Sequence, residues 1–146
     1  MKNLFLLAYA IMFSMSLVAC ASATSVQPTA VEPALGIGLT EFQVVKADGS
    51  KYAVTLDALK KLPLANITVD GKVQEGPKLI DILNLAGVTD FSEVTLTGSA
   101  SPVTLTRSQV DDNTILDFNN HGTLKLATTY VPMPNWTKDV SEITVK

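Results

Sequence analysis

The segment 76–88 constrains the fold of this chain more than any other stretch. Four of its apolar residues recur at three- and four-residue intervals, as on one face of an α-helix: Leu79, Ile82, Leu83 and Ala86. Pro77 near the start is typical of a first helical turn, and Gly87 near the end is typical of a C-terminal cap. The segment therefore predicts a core helix, and a core helix needs a partner layer that covers its apolar face.

The flanking segments are rich in Val, Thr and Ile and predict strands. The predicted strands are 42–46, 52–54, 67–69, 94–97, 103–105, 124–129 and 143–145. Turn residues at 47–50 and 70–71 favour hairpins. Thr55 is predicted to cap a short helix over 56–62, and Thr106 is predicted to cap a helical turn. The predicted fold class is α+β, a mixed β-sheet with two or three short helices.

The N-terminal residues have the pattern of an export signal. Lys2 precedes an uncharged apolar run over 4–18, which is too short for a typical membrane-spanning helix. The run ends in Leu-Val-Ala-Cys, which resembles the bacterial lipobox and implies that Cys20 is lipidated. Cleavage after Ala23 is the alternative, and it would release a soluble secreted protein. We thus predict a lipoprotein signal peptide over 1–19, a flexible tether over 20–38 and a folded domain over 39–146.

Composition excludes several functions. The net charge is −3, with one arginine and one histidine, so the chain lacks the basic surface that a nucleic-acid partner requires. Cys20 is the only cysteine, so the domain after it has no disulfide and no thiolate for a metal. No catalytic triad pattern, phosphate-binding glycine loop or metal-ligating motif is present. We predict no catalytic residue and no metal site.

Four residues are candidates for ligand binding. Arg107, the only arginine, could clamp an anion, or it could be a charge at a sheet edge. His121 could be a ligand or base, although its place in an Asn-Asn-His-Gly turn favours a surface residue. Tyr130 and Trp136 flank Pro132 and Pro134 and could line a pocket, while the simpler interpretation is that Trp136 covers the core.

Three segments in order resemble a known family. The sequence Leu-Asp-Ala-Leu-Lys-Lys-Leu-Pro at 56–63, the helix segment at 76–88 and Trp-Thr-Lys-Asp-Val-Ser-Glu-Ile at 136–143 are similar to motifs of the sulfite-oxidase-type molybdopterin-binding domain. The resemblance covers 51–146 and implies that family's fold. In catalytic members a cysteine thiolate binds molybdenum from a loop ahead of the central helix. That cysteine has no counterpart here, and neither do the family's phosphate-binding arginines and histidines.

These observations predict a non-enzymatic, extracytoplasmic lipoprotein that serves as a binding module and contains no cofactor. Its expected partners are the membrane, through the lipid on Cys20, and either a small ligand or an envelope protein. Two alternatives stay open. One is a redox subunit that still binds molybdopterin, and the other is a structural interaction domain of an envelope complex.

Overall fold

A computed structural model describes residues 40–120 and 122–146 of the chain. Cys20 and His121, two of the residues singled out above, lie outside that range. The described strands are β1 (Thr40–Val45), β2 (Lys51–Thr55), β3 (Leu64–Val69), β4 (Lys72–Pro77), β5 (Glu93–Thr97), β6 (Val103–Thr106), β7 (Thr114–Phe118), β8 (Leu124–Thr128) and β9 (Glu142–Val145). The α-helices are α1 (Leu56–Leu59) and α2 (Leu79–Leu85), and 3-10 turns lie at Arg107–Gln109 and Met133–Asn135.

Five strands form one mixed sheet in the order β2-β1-β9-β5-β6. The pair β1 and β9 is parallel, and the other neighbouring pairs are antiparallel. Two further hairpins, β3–β4 and β7–β8, form two-stranded sheets, and an isolated bridge between Lys78 and Ile115 links them. The architecture is α+β with a mixed sheet, as the sequence predicts.

The helix α1 is shorter than its sequence pattern predicts. Thr55 caps it as expected, because the side-chain oxygen accepts a hydrogen bond of 3.3 Å from the backbone N–H of Ala58. The α-helix ends at Leu59, so the prediction of a helix over 56–62 is wrong in its length. Lys61 and Leu62 then donate tighter, three-residue hydrogen bonds to the carbonyl oxygens of Ala58 and Leu59. Residues 60 and 61 form a turn ahead of Pro63, which cannot donate a backbone hydrogen bond to a longer helix.

The central helix α2 is confirmed, but its start differs from the prediction. The four residues of its apolar face are all buried, and Gly87 has a φ of 75°, as a left-handed C-terminal cap requires. The prediction that Gly76 and Pro77 open the helix is wrong, because both residues end β4. A Cβ atom at Gly76 would overlap the backbone carbonyl of Leu116, so β4 packs against β7 at a point that only glycine permits.

The buried side chains form two clusters. The larger one packs α1 and α2 against the five-stranded sheet and against Leu116, Leu124 and Leu126 of the β7–β8 hairpin. The smaller one, here called the tryptophan cluster, comprises Ile67, Ile115, Ala127 and Trp136, and it lies between the two hairpins. Val131 packs against both clusters. Within the residues that the structure describes, no helix is long and apolar enough to cross a membrane.

Candidate functional site

Beside the tryptophan cluster lies an open groove of about 470 Å³, which we call the lysine groove. Its walls carry three lysines, Lys72, Lys125 and Lys138, together with Asp70 and Gln74. The lysines come from β4, from β8 and from the loop ahead of β9, so distant parts of the sequence supply them. The charged residues that line the groove are thus mainly basic, although the whole chain has a net charge of −3.

The floor of the groove is apolar. Met133 and Pro134 belong to a 3-10 turn, and Trp136 follows directly after it. The indole N–H of Trp136 donates a hydrogen bond of 2.8 Å to the carbonyl oxygen of Val131, which fixes the ring beside the turn. Pro134 and Trp136 also line a second groove of about 490 Å³, which has no charged residue. The charged groups therefore distinguish the lysine groove from its neighbour.

The turn at residues 70 and 71 explains why β4 directs its polar side chains into the groove. Asp70 has a φ of 50° and Gly71 a φ of 74°, and a two-residue type I′ hairpin turn requires positive φ at both positions. Alternation along the strand that follows places Lys72 and Gln74 on one face, and both residues line the groove. Val73 points the other way and is 67% exposed.

Gln74 is the unusual residue of the groove. Its side chain is only 7% exposed, and its cross-strand partner is Ile67 of the tryptophan cluster. The buried threonines Thr114, Thr128 and Thr137 all make side-chain hydrogen bonds. The Gln74 amide makes none within the described part of the chain. No fully buried polar atom of the described residues lacks a hydrogen-bond partner, so the polar atoms of this amide must lie at the small exposed part of the side chain.

The three lysines differ in their pairing. Lys125 lies across the β7–β8 ladder from Asp117, and its ammonium is 2.9 Å from that carboxylate. Lys72 and Lys138 have no ion pair with any residue of 40–120 or 122–146. The backbone of Lys138 is nevertheless fixed, because its carbonyl oxygen accepts a hydrogen bond of 2.7 Å from the N–H of Ser99. The groove thus combines two unpaired ammonium groups with a defined backbone.

The three sequence-predicted candidates that the structure describes make separate sets of contacts. Trp136 is buried, covers the smaller cluster and lines the lysine groove. Arg107 lies elsewhere: its guanidinium carbon is 4.9 Å from the centre of the Phe91 ring, and it donates a hydrogen bond of 3.4 Å to the carbonyl oxygen of Val110. Neither Arg107 nor Tyr130 lines the groove.

Tyr130 belongs to a surface pair with Asp111. Its hydroxyl donates a hydrogen bond of 2.5 Å to the Asp111 carboxylate. Partial burial would raise the pKa of Asp111, but hydrogen bonds from Tyr130 and Asn113 outweigh burial and lower that pKa below its ordinary value. The same contact with Asp111 raises the pKa of the Tyr130 phenol. The pair joins the end of β8 to the loop ahead of β7.

Sequence reasoning missed the lysines and Gln74. Exposed lysines on strands and loops usually indicate a solvated face, and Lys72 and Lys138 lie far apart in sequence. One local feature could have revealed the groove. The turn at residues 70 and 71 fixes the register of β4, and that register puts Gln74 on the inner face while Val73 faces outward. It is unusual for a strand to bury its glutamine and expose its valine, because the apolar residue is normally the buried one.

The donor set beside α2 does not fit a molybdenum centre. The chain between β3 and α2 is a hairpin closed by a two-residue turn, and it carries no cysteine. Soft thiolate ligation, which molybdenum receives in the family that the sequence resembles, is therefore impossible from this segment. No group of three or more His, Cys, Asp or Glu side chains is arranged for a metal among the residues described.

Comparisons with known proteins support the fold alone. No family model and no curated protein matches the sequence. Among solved structures, the chain is similar to the sulfane dehydrogenase SoxCD from Paracoccus pantotrophus, with a TM-score of 0.50 and 17% sequence identity. The match covers 74% of this chain but only 36% of that one. The domain therefore has a fold distantly related to the sulfite-oxidase-like, molybdopterin-binding fold.

Proposed function

We propose that this protein is a non-enzymatic binding module, held at the extracytoplasmic face of a membrane by a lipid on Cys20, and that its ligand binds in the lysine groove. The main support comes from the β3–β4 hairpin ahead of α2, which lacks a metal ligand but contributes polar side chains to a groove. It supplies no thiolate for a metal, yet Lys72 and Gln74 on its second strand open into a groove of the size of a small-molecule site.

The polar side chains of the groove suit the recognition of a charged ligand. Its polar residues are three lysines, one aspartate and one glutamine. Lysine and aspartate can act as nucleophiles or bases, but no hydrogen bond or ion pair joins any two of these described lining side chains into a nucleophile and base pair. The groove can recognise charge and shape, which is what a binding protein requires.

Native mass spectrometry with elemental analysis tests this proposal on the full chain purified from its own host in neutral detergent. The expected result is a lipid-modified chain that begins at Cys20 and contains no stoichiometric molybdenum. Cys20→Ser is the matched variant, and it should lack the lipid mass. A stoichiometric mass that contains molybdenum would overturn the non-enzymatic assignment. An unmodified chain that begins at Thr24 would show that the protein is cleaved after Ala23 and secreted without a lipid anchor.

A further inference from the structure

We infer that the lysine groove binds a small organic anion, whose charged group lies among Lys72, Lys138 and Gln74 and whose flat apolar body lies over Met133 and Pro134, beside Trp136. This inference rests on the proposed binding function and specifies the chemistry of the ligand.

The first reason is the state of Gln74. No side-chain nitrogen or oxygen is both fully buried and without a hydrogen-bond partner in the described residues. The amide of Gln74 has no partner, so the small surface that it keeps must include its polar atoms, and that surface opens on the groove. The amide can donate two hydrogen bonds to a ligand oxygen. A ligand would thus supply the partner that residues 40–120 and 122–146 do not.

The second reason is the distribution of charge. Lys125 already has Asp117 as its partner, but the ammonium groups of Lys72 and Lys138 have no partner among the described residues. Unpaired like charges beside an apolar floor repel one another, and an anion between them removes that repulsion. Because an ammonium is a point charge without directional preference, carboxylate, phosphate and sulfate groups are all suitable.

The third reason is the floor. Pro134 is exposed and offers an apolar surface, and the partly exposed Met133 adds a polarizable side chain that adapts to a ring. Trp136 is only 3% exposed, so it contributes mainly by fixing the turn that carries these two residues. An inorganic anion would leave this surface uncovered. A molecule that joins an anionic group to an aromatic or other flat body uses both parts of the groove, and we therefore expect it to bind more tightly than either part alone.

Phenyl phosphate is the probe that we would use, with benzoate as a second anion. Trp136 is the only tryptophan of the chain, so its fluorescence reports on the floor of the groove. Calorimetry on the full chain in neutral detergent gives the affinity. We expect saturable binding of both anions, and binding of inorganic phosphate and of uncharged benzyl alcohol that is each roughly tenfold weaker.

Variants locate the site. Replacing both Lys72 and Lys138 by glutamine should weaken phenyl phosphate binding by about tenfold, because each exposed charge contact contributes up to about 1 kcal/mol. Gln74→Met keeps the shape and removes the amide, and it should weaken binding by about fivefold. The matched control replaces Lys60 and Lys61, two exposed lysines of the turn after α1, by glutamine and should leave the affinity unchanged. Thermal unfolding verifies that each variant is folded.

Three results would overturn the inference: no saturable binding of either anion, an equal loss in the Lys60 and Lys61 control, or inorganic phosphate binding as tightly as phenyl phosphate. The proposed function has its own test and fails separately. If the protein carries the lipid and no molybdenum but does not bind phenyl phosphate, only the proposed ligand class is refuted. Stoichiometric molybdenum in the protein purified from its host refutes the proposed function, whether or not phenyl phosphate binds.

Discussion

The two hydrophobic clusters of this domain differ in how completely other elements cover them. The larger cluster, around α2, is closed by the five-stranded sheet, and its helix residues Leu79, Ile82 and Leu83 are fully buried. The tryptophan cluster has four buried side chains in the described part of the chain, and it borders an open groove. Gln74, Lys72 and Lys138 in that groove have no side-chain partner among the described residues. The first cluster is thus covered by other elements, whereas the second lies beside charged groups at the surface.

The contact between the two hairpins provides the largest expected effect. Gly76→Ala places a methyl group where the backbone of Leu116 lies, so β4 and β7 must separate. We expect a loss of about 3 kcal/mol or more in the free energy of unfolding, measured by urea denaturation. Gly71→Ala in the same hairpin is the control. It meets no atom but has a φ of 74°, so we expect a loss of about 1 kcal/mol. Equal losses would contradict the packing explanation.

Cavity-forming substitutions compare the two clusters directly. Leu83→Ala removes a fully buried side chain from a closed cluster and should lower the free energy of unfolding by about 3 to 4 kcal/mol. Ile67→Ala in the tryptophan cluster should cost about 2 kcal/mol, because an open site relaxes around the cavity more easily.

The same two variants test whether the clusters unfold together. Val131 packs against both clusters, so we expect the fluorescence of Trp136 and the far-ultraviolet circular dichroism to report a single transition in each variant. Separate transitions would mean that the tryptophan cluster unfolds independently of the larger one.

The buried polar residues give an effect of opposite sign. Gln74→Met replaces an amide that has no hydrogen-bond partner among the described residues by an apolar group of similar shape. Because the polar atoms of the amide keep some contact with solvent, we expect the free energy of unfolding to rise by only about 0.5 kcal/mol. Thr128→Val is the control, since the Thr128 hydroxyl is 2.9 Å from that of Thr114. Loss of this hydrogen bond between the two hydroxyls should lower the free energy of unfolding by about 1 kcal/mol. If Gln74→Met also destabilises, the amide has a role in folding that its contacts do not explain.

The smallest effect concerns the surface pair outside both clusters. Tyr130→Phe removes a hydrogen bond to Asp111, so the pKa of that carboxyl should rise toward its ordinary value. The bond stabilises the fold only while Asp111 is ionised. Its contribution is therefore present above the unfolded-state pKa and disappears as the pH falls through the folded-state pKa. A carboxyl NMR titration measures the shift, with Tyr52→Phe as the control. An unchanged Asp111 titration would contradict this assignment.

Local patterns predicted the parts of the fold that local physics determines. The apolar face of α2, the cap at Thr55 and the hairpin of β1 and β2 each depend on residues close in sequence. The start of α2 was mispredicted because Pro77 fits a first helical turn equally well. Gly76 belongs to β4 because it pairs with Ala65 of β3, and the close approach of the distant Leu116 backbone explains why the residue there is glycine. The parallel pairing of β1 with β9 likewise depends on contacts across the whole domain.

The candidate site was less accessible to sequence analysis. Trp136 was recognised because a single tryptophan between prolines and a strand is conspicuous. The lysines were not recognised, because only the folded chain brings Lys72 and Lys138 to one groove. Whether a lysine can bind an anion depends on whether its charge is already paired, and that requires the distances between side chains in the folded chain.

The position of β9 affects the order in which the chain can fold. This strand lies in the middle of the sheet, between β1 and β5, yet it is the last of the described strands to leave the ribosome. Until residues 142–145 emerge, the sheet consists of two separate hairpins that cannot join. Long-range pairing of this kind folds slowly. The order of synthesis therefore postpones closure of the sheet until the strand at its centre is available.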